Sequence, residues 1–220
     1  MVYGGLELDR FRLDIDRNAV RRGLGIAPDA PVVIIVDGYF KFIPENNKGG
    51  YYFVKGAEKI LAAKPNARFL IVGGSSVDGF NRLASPALNK AAILTQHRPD
   101  VPELLAASDL LVCASFSEGL GMVCAEALAM KRPVVGTNVG GIPELARPGQ
   151  TGILVPPRDG DAIAAAALDL IDHPEKARAF GEAGRALMED ICDNKKRVDR
   201  IEAIYYEEYE KAMLKAGRPF

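Results

Sequence analysis

Short apolar runs alternate with segments of helical periodicity from the first strand candidate to residue 156. Strands are predicted at residues 32–36, 68–72, 91–95, 109–114, 133–136 and 152–155, and helices at 51–63, 101–107, 122–130 and 142–146. The strands are mostly continuous apolar runs joined to helices by short loops, which is typical of a parallel sheet covered on both faces. The predicted fold class is α/β, a Rossmann-like parallel sheet of about six strands with a C-terminal helical segment.

Polar and glycine-containing loops follow the predicted strands. They contain Gly38, Gly73, Gln96 and residues 115–121 and 137–141. Right-handed crossovers between parallel strands place the carboxyl ends of the strands at one edge of the sheet. We therefore expect these loops to meet at that edge and to form a site there.

The pattern after residue 156 is helical. Asp159 or Asp161 can cap a helix over 162–171, and Pro174 interrupts it. A last helix is predicted at about 194–215, with the apolar side chains of Val198, Ile201, Tyr205, Tyr209 and Ala212 at helical spacing on one face. We expect one domain over residues 1–190 and a C-terminal helix over 191–220 that packs on it or on a partner.

Composition narrows the class of protein. The 220 residues suit one domain, with 48% hydrophobic and 26% charged residues. Lys plus Arg is 28 and Asp plus Glu is 29, so the net charge does not favour nucleic acid as a partner. The three cysteines form no CxxC pair, and no apolar run approaches the ~20 residues of a membrane span. The expected location is cytoplasmic, and a peripheral position at the inner face of a membrane stays open.

The stretch from Ser117 to Ala129 is the most informative for chemistry. It follows a predicted buried strand, contains the turn Gly119-Leu120-Gly121, opens a predicted helix and includes Glu118 and Glu126. The first N–H groups of a helix have no partner within it and attract anions. Carboxylates accept hydrogen bonds from hydroxyls, so the two glutamates could bracket a phosphate that carries sugars on either side.

This stretch resembles the Glu-x7-Glu motif of retaining glycosyltransferases of the two-domain GT-B architecture, in particular glycosyltransferase family 4 (glycosyl transferases group 1). The resemblance extends to residues 101–109, 133–144 and 150–157 and is dense over 99–186. It implies the donor-binding C-terminal domain of such an enzyme. It also implies that Glu126 holds the nucleotide ribose, that Glu118 holds the transferred sugar, and that the amides of Gly119, Leu120 and Gly121 hold the diphosphate.

Two further loops resemble the family less closely. Lys48-Gly49, in the loop that begins near Gly38, matches the family's Lys-Gly, whose lysine neutralises the diphosphate. Tyr39 stands where the family has an arginine, and Lys41 is the nearest cation. Gln96 replaces the usual glycine of the base-binding loop, and His97 is a candidate contact with the base.

Other motifs give weaker indications. Asp14-x-Asp16 and Asp159-x-Asp161 match a metal-binding pattern, but both precede helical segments and are interpreted as helix caps. No G-x-G-x-x-G follows the first strand, and no cluster has metal-ligand spacing. We therefore expect neither a metal nor a cofactor.

The predicted function is to bind a UDP- or GDP-linked sugar and, when paired with an acceptor domain, to transfer its hexose to a glycan or lipid. The acceptor domain would be an N-terminal domain in trans or would come from a homodimer, and the chain alone is expected not to transfer. The resemblance also implies that the last helix crosses onto the acceptor domain. Two alternatives remain: a non-catalytic subunit or remnant that binds nucleotide sugars, and a fragment of a GT-B sugar-nucleotide epimerase.

Overall fold

A computed structural model describes residues 5–36, 41–73 and 77–215. Within these residues the strands are β1 Val32–Val36, β2 Arg68–Val72, β3 Ala92–Thr95, β4 Leu110–Cys113, β5 Val134–Thr137 and β6 Gly152–Val155. The helices are α1 Arg17–Gly23, α2 Gly50–Ala63, α3 Val77–Leu83, α4 Pro86–Ala91, α5 Val101–Ala107, α6 Met122–Ala129, α7 Ile142–Leu145, α8 Gly160–Asp172, α9 Pro174–Ile191 and α10 Asn194–Lys215. A 3₁₀ turn covers Leu8–Arg10.

The strands form one parallel sheet in the order β3-β2-β1-β4-β5-β6. The order reverses between β1 and β4, which are neighbours in the sheet although two strands separate them in the chain. In open parallel sheets ligands bind beside the carboxyl ends of the strands at this kind of reversal. The predicted α/β class with a six-stranded parallel sheet is confirmed for the described residues.

The core lies on both faces of the sheet because successive side chains of a strand point to opposite faces. Val33 and Ile35 of β1 pack in one cluster with residues of α2 and α8. Val32 and Ile34 pack in the other cluster with residues of α6. Burial on both faces explains why β1 is apolar at every position.

Helices α3 and α4 were not predicted from the sequence. A local pattern does mark α4, because Pro86 occupies its first turn and the Oγ of Ser85 accepts a hydrogen bond from the N–H of Leu88 at 3.1 Å. This is an ordinary serine cap followed by an N-terminal proline. Because Ala91 ends α4, β3 begins one residue later than predicted.

Helix α10 matches its predicted range, and its apolar face is largely uncovered. Val198, Ile201 and Tyr209 are each more than 40% exposed, and Tyr205 is 67% exposed. The start of the helix is tied to the domain, since the N–H of Asn194 donates to Leu6 O and the N–H of Leu6 donates to Cys192 O. Within the described residues, no helix has the length and apolar character needed to cross a bilayer. The division at residue 190 stays a prediction.

Candidate functional site

The connection from β4 to α6 forms the centre of the candidate site. Cys113 ends the strand and Met122 begins the helix, with Gly121 in the left-handed region at φ 78° as the helix cap. In the described part of the chain, the backbone N–H groups of residues 119–123 donate to no other residue. Gly119 is exposed, and a side chain there would meet open space. The turn therefore offers consecutive unpaired donors at a helix start, the arrangement that favours an anion.

A second glycine turn, which follows β5, supports the first. The N–H of Gly141 donates to Gly119 O at 2.6 Å. Gly140 has φ 51°, and a Cβ there would lie under 3.0 Å from the backbone of Glu118. Only glycine allows this approach, so the 137–141 loop fixes the backbone that carries Glu118.

Lys48 and Glu118 are brought together although 70 residues separate them. The Nζ of Lys48 donates to Oε1 of Glu118 at 2.8 Å, and the Oγ of Ser115 donates to the same oxygen at 2.9 Å. The Lys48 side chain is 28% exposed and the Glu118 side chain 17%. Both residues were expected at the site from the sequence, but their contact was not, and neither was Ser115 as a partner. The contact places a cation and a carboxylate beside the open turn.

Gly49 makes the approach of Lys48 possible. Its φ is 69°, and a Cβ there would lie under 3.0 Å from the backbone of Ala114 at the end of β4. The loop thus touches the carboxyl end of β4 through bare backbone, which is the physical reason for the Lys-Gly sequence. The N–H of Phe116 donates to Asn47 O at 2.8 Å and holds the same two segments together.

Glu126 lies on α6 with most of its side chain withdrawn from water. Burial raises the pKa of its carboxyl, and Arg10 opposes this only in part. Among the described residues, none donates a hydrogen bond to this carboxylate. A partly buried acceptor without a donor is poised to bind a ligand hydroxyl.

Arg158 is a cation near the turn that the sequence analysis missed. Its guanidinium lies over the ring of Phe116, with Cζ 4.5 Å from the ring centroid. Arg158 follows β6, whereas Phe116 follows β4, so only the order of the strands shows that the two segments meet. The sequence contained no short-range pattern that could have indicated this contact.

The other predicted residues lie apart from this cluster or outside the described ranges. His97 is exposed after β3, the outermost strand on its side. Three strand spacings of about 4.8 Å separate β3 from β4, or roughly 14 Å. The contact of His97 with the base stays a prediction. Gly38 and Tyr39 fall outside the described residues.

The two Asp-x-Asp motifs serve as helix caps, as predicted. Asp16 accepts hydrogen bonds from the N–H groups of Asn18 and Ala19 at the start of α1, and Asp159 accepts one from Ala162 at the start of α8. Among the described residues, no group of three or more His, Cys, Asp or Glu side chains is placed to hold a metal ion.

A family model for glycosyl transferases group 1 matches residues 31–173. This chain belongs to the glycosyl transferases group 1 family. The match covers well over half of the chain and includes the candidate site from Lys48 to Gly141. The resemblance inferred from the Glu-x7-Glu segment is confirmed, and the domain corresponds to the C-terminal domain of the GT-B fold.

Relatives in this family are similar over most of the chain. A D-inositol 3-phosphate glycosyltransferase from Rhodococcus opacus (strain B4) is 35% identical over 192 residues, covering 82% of this chain and 42% of the relative. An N-acetyl-alpha-D-glucosaminyl L-malate synthase from Bacillus anthracis is 31% identical over 208 residues, covering 94% and 53%. The chain thus spans about half the length of the curated relatives it matches.

Solved structures show the same fold. Anabaena Alr3699/HepE in complex with UDP and glucose aligns with a TM-score of 0.79 and 22% identity, covering 93% of this chain and 56% of that one. The C-terminal domain of the glycosyl transferase group 1 protein LpcC from Francisella tularensis aligns with a TM-score of 0.75 and 24% identity, covering 86% of this chain and all of that one.

Proposed function

We propose that this domain binds a nucleoside diphosphate sugar at the β4–α6 turn and serves as the donor-binding part of a retaining glycosyltransferase. A hexose would pass from a UDP- or GDP-linked donor to a glycan or lipid held by an acceptor domain. The observation that carries the proposal is the run of N–H groups at 119–123 that donate to no described residue, in a turn whose Gly119 is exposed and which follows Glu118 and its partner Lys48. A diphosphate satisfies such donors with several oxygens at once.

Lys48 would change partners when the donor binds. In the structure its ammonium group is paired with Glu118 at 2.8 Å. A diphosphate on the adjacent turn carries more negative charge than one carboxylate, so it competes for the ammonium group. Once released, Glu118 can accept hydrogen bonds from the hydroxyls of the transferred sugar. The hydroxyl of Ser115 would donate to Oε1 of Glu118 both before and after the donor binds, and so maintain the orientation of the carboxylate.

Glu126 would bind the nucleotide ribose. Its carboxylate is withdrawn from water, and no described residue donates to it, so ribose hydroxyls would restore the hydrogen bonds lost on burial. Eight positions separate Glu126 from Glu118, with the glycine turn and the first turn of α6 between them. This spacing suits two carboxylates that hold sugars on either side of one diphosphate.

Transfer breaks the bond between the sugar C1 and the diphosphate oxygen, and the electron pair passes to the diphosphate. The acceptor hydroxyl forms the new bond to C1, and its proton passes to the departing diphosphate oxygen. Lys48 and the N–H groups of the turn would stabilise the charge that develops on the leaving group. Arg158, held over Phe116, would supply a second cation beside the turn, in place of the family's arginine for which the sequence has Tyr39.

The names of the relatives favour transfer over epimerisation, since those named here are a glycosyltransferase and a glycosyl-malate synthase. A binding subunit without catalysis would use the same turn. Calorimetric titration with UDP, GDP and ADP and with their glucose and mannose conjugates tests the donor site directly. We expect the ligands of one base to bind and Glu126→Gln to weaken their binding. The control Glu202→Gln, on the exposed α10, should leave binding unchanged.

A second assay separates transfer from binding alone. The domain is mixed with an N-terminal domain from a group 1 relative and a radiolabelled donor, and labelled products are separated by chromatography. Labelled glycan or lipid supports the transferase, whereas a changed sugar still attached to nucleotide supports the epimerase. Binding without either product supports a non-catalytic subunit.

A further inference from the structure

A cleft of about 550 Å³ lies at the edge of the sheet opposite the candidate donor site. Its lining includes Pro31, Asp109 and Pro133, which directly precede β1, β4 and β5. Strands of four or five residues separate the two edges, a distance of about 13–17 Å. The cleft is therefore separate from the donor site.

The lining of the cleft carries an excess of positive charge. Five cationic and three acidic side chains line it: Arg17, Arg21, Lys131, Arg132, Arg178, Asp29, Asp109 and Glu182. Two of the acidic groups are already engaged. Asp109 pairs with both Arg17 and Arg21, and Glu182 pairs with Lys131 at 2.7 Å.

Arg21 is a structural residue. It is 1% exposed, and its guanidinium donates to Ala107 O, Pro28 O and Ala30 O as well as to Asp109. These bonds join α1 to the strand starts and use four of the five N–H donors of a guanidinium. Arg21 is therefore not available to a ligand.

Arg132, unlike Arg21, has a guanidinium whose donors are not satisfied within the described part of the protein. Its Nε is buried without a hydrogen-bond partner, and within the described residues its guanidinium makes no hydrogen bond or ion pair. Burial, with smaller contributions from Arg17 and Arg21, lowers its pKa to about 10 although the Asp109 carboxylate opposes this, so it is still charged at neutral pH. A charge withdrawn from water beside other cations is costly unless an anion pairs with it.

We propose that this cleft binds a small phosphorylated molecule whose phosphate group pairs with Arg132. The excess of two positive charges in the lining matches a phosphate dianion, and a guanidinium fork fits phosphate oxygens in a bidentate manner. The cleft volume lies in the range of small-molecule sites and exceeds what phosphate alone would fill. Leu170, Ile171 and Ala177 provide an apolar wall for the rest of the molecule.

Calorimetry at constant low ionic strength tests the site, with glucose 6-phosphate, inorganic phosphate and glucose as probes. We expect glucose 6-phosphate to bind more tightly than inorganic phosphate and glucose not to bind. Arg132→Gln should lower the affinity for glucose 6-phosphate at least about tenfold, which is the scale of one charged hydrogen bond. Equal affinity for the two phosphates would assign the site to inorganic phosphate itself and would overturn the proposal of a larger phosphorylated molecule.

Two controls locate the site. Arg82→Gln removes an exposed arginine of α3 outside the cleft and should leave binding unchanged. Lys48→Gln, or saturation with a nucleoside diphosphate, disables the donor site and should also leave binding unchanged. Arg132→Met should raise the thermal midpoint without phosphate, which shows that the variant folds. No binding at millimolar probe, or binding that survives Arg132→Gln or is lost in Lys48→Gln, would overturn the proposal.

Discussion

The exchange of Lys48 between Glu118 and a diphosphate predicts opposite effects for two substitutions. Lys48→Met removes the cation, and the loss of one charge-assisted hydrogen bond costs about 1.5–3 kcal/mol of binding free energy. This corresponds to roughly a 10- to 150-fold weaker Kd for the nucleoside diphosphate. Glu118→Gln removes the carboxylate that competes for Lys48 at 2.8 Å, so the same ligand should bind several-fold more tightly.

Calorimetric titration of both variants with UDP or GDP, and with the matching sugar conjugate, measures the exchange. Glu118→Gln should lose affinity for the conjugate relative to the plain diphosphate, because its side chain no longer accepts sugar hydroxyls as an anion. Ser115→Ala serves as a milder perturbation, since it removes only the bond that orients Oε1. Losses of equal size for both ligands in both variants would refute the exchange, as would an unchanged Kd in Lys48→Met.

Three further predictions concern stability and the second cation. Gly140→Ala should destabilise the fold by several kcal/mol, since a Cβ there would collide with the backbone of Glu118. The control Gly149→Ala, at φ 73° with open space around it, should cost only about 1–2 kcal/mol. Urea unfolding compares the two variants, and similar losses of stability would contradict the predicted clash at Gly140. Glu126→Gln should raise stability at pH 7, because burial raises the carboxyl pKa and penalises the charged form in the folded state. That gain in stability should vanish below about pH 4, where the carboxyl is protonated in both the folded and the unfolded chain. Thermal unfolding of both proteins across this pH range measures the difference, and a gain that does not change with pH would contradict the prediction. Arg158→Gln should weaken diphosphate binding while Arg82→Gln does not, and equal Kd values for the two variants would remove Arg158 from the site.

The sheet could be predicted from the sequence because its strands are apolar on both faces. Runs such as 32–36 and 68–72 need no tertiary information to be assigned as buried parallel strands, and their ranges are unchanged in the structure. The site-bearing edge follows from the same reasoning, since parallel strands place their carboxyl ends together. Helices α3 and α4 were missed because they bury only one and two residues, which leaves a weak apolar pattern, although Ser85 and Pro86 do mark the start of α4.

The contacts of the site were less predictable than its position. Lys48 and Glu118 were each proposed, but their pairing depends on β1 and β4 being neighbours in the sheet. The stacking of Arg158 on Phe116 depends in the same way on the order β4-β5-β6. Both belong to the fold as a whole, and no local pattern in the sequence encodes them.

A crystal structure of this domain with the nucleoside diphosphate that binds in calorimetry shows whether the 119–121 turn holds the diphosphate. We expect diphosphate oxygens within about 2.7–3.2 Å of the backbone nitrogens of Gly119, Leu120 and Gly121. We also expect that the Nζ of Lys48 has moved from Glu118 to the diphosphate. A diphosphate bound elsewhere, with the 119–121 turn empty and Lys48 still on Glu118, would contradict the proposed donor site.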